Sequence, residues 1–110
     1  VSGSIFFWRV DHFFLDNRNL DCGSNQLTSL DLSGFPALEE LRCYANQLTS
    51  LDLSDCPDLQ ELYCYANQLA VLNLSNCSAL QKFYCYTNKL TSLDLSGCPA
   101  LQYLTVLLTN

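Results

Sequence analysis

The chain has 110 residues, 49% of them hydrophobic and 15% charged, which is enough apolar material for one packed domain and excludes a disordered chain. Eleven acidic residues against five basic ones give a net charge of −6, so nucleic acid and anionic membrane surfaces are not expected partners. The apolar run at residues 5–8 is too short for a membrane span, so membrane insertion is not expected either.

The N-terminal segment, residues 1–19, is rich in aromatic side chains and matches no repeat in the chain. We expect it to be a cap or an irregular segment, with residues 5–10 and 12–15 forming a hairpin over the first coil. His12, the only histidine, lies in this segment, apart from every cysteine of the chain. A catalytic pair of cysteine and histidine is therefore not predicted, and neither is any other enzyme activity.

From residue 20 onward the sequence repeats with a period of 21 residues and without insertions. The four full units and a partial fifth cover residues 20–40, 41–61, 62–82, 83–103 and 104–110. A fixed period of this length indicates a solenoid, in which residues 20–110 form one stack of coils. One coil buries too little apolar surface to fold alone, so stability must come from stacking.

Each unit contains two pairs of alternating apolar residues, which indicate short strand-like segments. In the second unit these pairs are Leu41 with Cys43 and Leu51 with Leu53. A proline follows the second pair in three units, as Pro57 does here, and marks a turn. The predicted fold is therefore mainly β, with little or no helix.

Stacked coils lie about 4.8 Å apart, so residues at the same place of each unit form a column. Two columns consist of cysteines: Cys22, Cys43, Cys64 and Cys85 in the first, and Cys56, Cys77 and Cys98 in the second. A tetrahedral zinc needs its sulfur ligands around one point, whereas a column spreads them along a line. Parallel side chains are also badly aimed for disulfides. We expect reduced, buried thiols and predict no metal or other cofactor.

Two further columns consist of polar residues that we assign to structure. Asn25, Asn46, Asn67 and Asn88 follow the first strand, where a carboxamide can pair with turn backbone. Asp31, Asp52 and Asp94, with Asn73 in the third unit, point outward as solvated side chains that need no calcium ion. Ser33, Ser54, Ser75 and Ser96 are expected to serve the second turn.

Tyrosines occupy the outward places on either side of the first cysteine column. The candidate ligand-binding residues are Tyr44, Tyr63, Tyr65, Tyr84, Tyr86 and Arg42. Large aromatic side chains placed outward suit a binding surface, because tyrosine combines apolar area with a polar tip. The alternative is that the rings pack on one another and shield the sheet. Glu40, Glu61, Lys82 and Tyr103 border this patch as a polar rim.

The stretch "LEELRCYANQL", residues 38–48, has the pattern LxxLxCxxNxL and resembles a bacterial leucine-rich repeat. It is most similar to the 21-residue repeats of internalin J-type surface proteins, which carry a cysteine in the strand. The resemblance covers residues 20–103 and implies a right-handed solenoid with a parallel sheet on its concave face. The second cysteine column and residues 1–19 depart from that pattern.

These observations predict a non-catalytic recognition module that presents a tyrosine-lined concave face to a protein or glycan ligand. The resemblance implies adhesion and a secreted or cell-surface location in a bacterium. The alternative function is a structural spacer or self-assembling element that stacks end to end through exposed terminal coils. Leu107 and Leu108 favour that alternative, because they are large apolar residues at places where polar or aromatic residues are expected.

Overall fold

The computed structural model describes residues 14–16 and 18–109. Within these ranges six short strands form one sheet whose order follows the chain. They are β1 (Phe14–Leu15), β2 (Asn19–Asp21), β3 (Glu40–Arg42), β4 (Glu61–Tyr63), β5 (Lys82–Tyr84) and β6 (Tyr103–Thr105). The described residues contain no helix, and hence none that could span a bilayer. The predicted mainly β solenoid is confirmed.

Strands β2 to β6 are parallel and pair with a constant offset of one repeat. Leu41 pairs with Leu62, and Leu62 pairs with Phe83. Since this offset is 21 residues throughout, equivalent residues of successive coils lie side by side as predicted. Strand β1 runs antiparallel to β2 at the edge of the sheet, with Leu15 opposite Leu20.

Each parallel strand is short, because the backbone adopts a left-handed conformation a few residues after the strand ends. In β3 the side chain of Leu41 is buried between the half-buried Glu40 and Arg42, as expected for residues that alternate across a sheet. Parallel pairing continues to Ala45, whose N–H donates to the Tyr65 carbonyl at 3.0 Å. Here the chain adopts the left-handed conformation in successive coils, at Ser24, Ala45, Ala66 and Thr87.

The second half of each coil consists mainly of turns. In the second coil the N–H of Cys56 donates to the Leu53 carbonyl at 3.1 Å, and that of Leu59 donates to the Cys56 carbonyl at 3.3 Å. Pro57 stands at the second position of the latter turn, where its fixed φ is favourable. The apolar alternation of Leu51 and Leu53, which predicted a second strand-like segment, therefore reflects the burial of these two leucines in the core and not a regular strand. The sole isolated strand bridge within the described ranges joins Asp52 and Asn73.

The core is a continuous stack of leucines, with both cysteine columns and Phe83 packed among them. Burial falls off along the partial fifth coil, where Leu104 and Leu107 are exposed. Residues 5–10 of the predicted N-terminal hairpin and His12 lie outside the described residues, whereas Phe14 and Leu15 of its second segment form β1. The division into a cap at 1–19 and a solenoid at 20–110 therefore stays a prediction, although β1 pairs with the first coil.

Candidate functional site

The outward side of the sheet, which we call the strand face, carries two columns of tyrosines. The first column consists of Tyr44, Tyr65 and Tyr86, whose ring centroids lie 5.0 and 4.7 Å apart with planes 7° from parallel. This spacing is close to the separation of neighbouring strands, about 4.8 Å. The rings therefore stack on one another along the solenoid.

Gly23 terminates this column in the first coil. A Cβ atom built at Gly23 would lie 2.4 Å from Cζ of Tyr44, so the ring rests directly against the glycine backbone. Sequence reasoning missed this role. The signal was present, since Gly23 stands at the place that the next three coils fill with tyrosine.

The second column combines a cation with two rings. Tyr63 and Tyr84 stack with centroids 5.2 Å apart and planes at 21°. On the other side of Tyr63, the guanidinium carbon of Arg42 lies 4.3 Å from the ring centroid. That distance is within range of a cation–π interaction. Arg42 also forms an ion pair with Glu40 through its Nε atom.

Charged groups at the strand face are largely engaged. The hydroxyl of Tyr63 donates to Oε1 of Glu61 at 2.7 Å. Burial, and next this hydrogen bond, raise the pKa of Tyr63 to about 12, so the phenol is neutral at physiological pH. The Lys82 ammonium lies 5.6 Å from the centroid of the Tyr103 ring. The six candidate residues thus lie in two columns on the strand face. Of the predicted rim, Glu40 and Glu61 contact the second column, and Lys82 contacts Tyr103.

Acidic and basic side chains balance in the strand-bearing halves of the coils. These segments, residues 18–27, 39–48, 60–69, 81–90 and 102–109, contain as many acids as bases. The acids are Asp21, Glu39, Glu40 and Glu61, and the bases are Arg18, Arg42, Lys82 and Lys89. The strand face is therefore an aromatic surface without a dominant charge.

The asparagine column holds the backbone at the end of the strand face, as predicted. The Nδ2 atom of Asn67 donates to the carbonyls of Cys43 at 3.0 Å and Cys64 at 3.1 Å. Its Oδ1 atom accepts from the N–H of Leu48 at 3.1 Å. These bonds join the second and third coils. Because the asparagine is used internally, it is not available to a ligand.

The cysteines face the core, and this prediction is also confirmed. Every cysteine is a buried free thiol, and Cys43 and Cys64 have no exposed surface. Burial raises the pKa of Cys22 and of Cys85 to about 12, which keeps these groups in the thiol form. The described part of the chain contains no group of three or more His, Cys, Asp or Glu residues placed to hold a metal ion.

The aspartate column has a structural role that sequence reasoning missed. Oδ1 of Asp52 accepts from the N–H of Ser54 at 3.0 Å, and Asn73 makes the same bond to Ser75 at 2.9 Å. Hydrogen bonds from Ser54 lower the pKa of Asp52. Each side chain thus closes a turn two residues ahead, a pattern that the repeated Asx-x-Ser spacing could have indicated.

Two comparisons with known proteins agree with this architecture. The family model of leucine-rich repeats in two copies matches residues 18–54. The functional domain of InlJ from Listeria monocytogenes, which includes a cysteine ladder, has 37% sequence identity to the chain and a TM-score of 0.79. That match covers 83% of this chain and 21% of the InlJ chain. The chain therefore spans about a fifth of that relative.

Two other solved structures share the fold at lower identity. TLR13 in its complex with ssRNA13 has 22% identity and a TM-score of 0.68, over 76% of this chain and 14% of the TLR13 chain. Internalin C2 from Listeria monocytogenes has 23% identity and a TM-score of 0.56, over 80% of this chain and 50% of that chain. No curated protein matches at a significant level.

Proposed function

Because this chain is a leucine-rich-repeat protein whose cysteine-bearing coils resemble those of InlJ, we propose that it is a non-catalytic recognition module whose strand face binds a protein segment. One observation carries the proposal: five tyrosines and Arg42 stack in two columns on the outward side of a parallel sheet. Tyrosine and arginine are the residue types enriched at the energetic centres of protein interfaces.

The arrangement of the rings favours a protein ligand over a glycan. Sugars bind aromatic residues by laying their C–H bonds on a ring face. The faces of Tyr65 are covered by Tyr44 and Tyr86, and those of Tyr63 are covered by Arg42 and Tyr84. Except at the end rings Tyr84 and Tyr86, the strand face therefore offers ring edges and hydroxyl groups, which suit peptide carbonyls and apolar side chains.

Two features support a binding role rather than catalysis. The cysteines, which would be the strongest nucleophiles, are buried in the core, and this burial raises their pKa, as for Cys43 and Cys64. The glutamates of the strands are engaged by neighbouring side chains, as in the contacts of Glu61 with Tyr63 and of Arg42 with Glu40. By resemblance to the Listeria repeats, we place the protein outside the cell or at a bacterial surface.

A peptide display library selected on the wild-type protein tests the proposal. Peptides that bind the strand face should lose at least about tenfold in affinity when Tyr65 or Tyr86 is replaced by alanine. Tyr86→Ala is the milder change, since Tyr86 is 38% exposed and stacks on a single tyrosine. Affinity is measured by calorimetry below the melting temperature of each variant.

Leu72→Ala is the matched control, because Leu72 is buried and lies away from the strand face. It should lower stability by about 2–5 kcal/mol and leave the affinity of the folded protein unchanged. Tyr65→Ala should cost about 1–3 kcal/mol, since two stacked pairs are lost. If the selected peptides bind both tyrosine variants as tightly as wild type, the strand face is not the binding site.

Assembly through terminal coils is the alternative function, and the exposed Leu107 and Leu108 favour it. Sedimentation over a range of concentrations distinguishes the two. A dimer that Leu107→Asp abolishes would support assembly. A monomer at all concentrations would rule it out for this chain.

A further inference from the structure

The negative charge of the solenoid is concentrated on the side opposite the strand-bearing halves. We call this side the outer face; it comprises residues 28–38, 49–59, 70–80 and 91–101, all described by the structure. It carries five carboxylates and no basic residue: Asp31, Asp52, Asp55, Asp58 and Asp94. Hydrogen bonds to serines lower the pKa of three of these groups, so they are ionised at neutral pH.

The third coil interrupts this acidic surface. The other three full coils read "LTSLDLS" here, whereas the third reads "LAVLNLS". Val71 thus replaces a serine and is 70% exposed, and Asn73 replaces an aspartate while making the same turn bond. Since neither change is needed to form the coil, their coincidence marks a distinct uncharged strip.

A groove lies at this strip, between the third and fourth coils. It has a volume of about 440 Å³, and its lining includes Val71, Leu72, Asn73, Asp94, Ser96 and Gly97. Gly97 packs closely against the third coil, since an added Cβ would lie 2.8 Å from the Leu74 carbonyl oxygen. The third coil therefore contributes apolar side chains to the groove, and the fourth coil contributes the Asp94 carboxylate.

We propose that the outer face binds a cationic peptide segment that places one apolar side chain in this groove. Charge complementarity selects the segment, because carboxylates of the second and fourth coils flank the neutral third coil. Those coils are two strand spacings apart, or roughly 10 Å, which is the length of about three extended residues. Basic residues one and two positions on each side of the apolar one are about 7 and 13 Å apart and so bracket this distance, which lets them meet Asp94 on one side and the second coil's aspartates on the other.

The test compares two capped pentapeptides, Lys-Lys-Leu-Lys-Lys and Lys-Lys-Ser-Lys-Lys, in calorimetric titrations at low salt. The leucine peptide should bind about tenfold more tightly than the serine peptide, because its side chain is buried in the groove. Chemical shift changes in the wild-type protein should centre on Val71, Asn73 and Ser96.

Two variants taken from the repeat itself separate the two parts of the site. Val71→Ser restores the residue of the other coils and should abolish the advantage of the leucine peptide. Asp94→Asn copies the third coil, so it keeps the turn bond and should weaken both peptides, with a smaller salt dependence. Tyr86→Ala should change neither affinity, which makes this test independent of the strand face.

Equal affinities for the two peptides would overturn the proposal, since the groove would then add nothing to general attraction by an acidic surface. No measurable binding, or shift changes spread evenly over the outer face, would overturn it as well.

Discussion

At the scale of single residues, the asparagine column shows how one side chain joins two coils. Asn67 donates to the carbonyls of Cys43 in the second coil and Cys64 in the third, and accepts from the N–H of Leu48. All these groups are buried away from water. Buried backbone groups need hydrogen-bond partners, so replacing the carboxamide by an apolar side chain must lower the stability of the fold.

Asn67→Ala should therefore lower the free energy of unfolding by about 3 kcal/mol or more, since a buried N–H and buried carbonyls lose their partner. Asn76→Ala is the matched control, because the exposed Asn76 makes one bond, to the Ser54 carbonyl at 2.9 Å. Its cost should stay below about 1 kcal/mol. Urea unfolding measures both values, and equal costs would contradict the structural role of the column.

At the scale of elements, the strand face is organised by stacking between coils. Tyr44 lies between the Gly23 backbone and the Tyr65 ring, so the glycine determines where the aromatic column ends. No other residue type fits beneath the ring without moving it. The stacking of the tyrosine rings thus depends on several neighbouring strands, so a substitution in the first coil can displace the ring of the second coil.

Gly23→Ala should displace the Tyr44 ring and alter the near-ultraviolet circular dichroism of the stacked tyrosines. It should also lower stability by about 1–3 kcal/mol, as overpacking does elsewhere. The same substitution in a Tyr44→Ala background should cost much less, because the atoms that the new Cβ meets are removed. Equal costs in the two backgrounds would show that the contact with Tyr44 is not what requires glycine.

At the scale of the whole molecule, the core is built from leucines and from all seven cysteines of the chain. Burial raises the pKa of these thiols, to about 12 in Cys22, Cys77 and Cys85 and to about 11 in Cys56. The ordinary pKa of a cysteine thiol is 9.0, so the unfolded chain loses thiol protons at lower pH than the folded one. The folded state therefore holds the thiol protons more tightly than the unfolded state does.

The contribution of the thiols to stability should therefore be fully present below about pH 9, where thiols are protonated in both states, and should be lost as the pH rises from about 9 towards 12. The sign follows because the folded state binds more protons in this range. Thermal melts at stepped pH measure the fall, and thiolate absorbance in the native protein reports ionisation. Native thiolate formation near pH 9, without unfolding, would contradict the inward placement of the columns.

The sequence alone determined the parallel register, the inward cysteines and the outward tyrosines, because an unbroken 21-residue period leaves one alignment between coils. It also indicated the asparagine ladder, whose partners are backbone groups present in every coil. Tertiary structure alone decided which neighbours share a contact, such as Arg42 over Tyr63, Tyr44 over Gly23 and the groove beside Val71. These depend on rotamers and on distances between side chains a full coil apart, which no pattern within one repeat specifies.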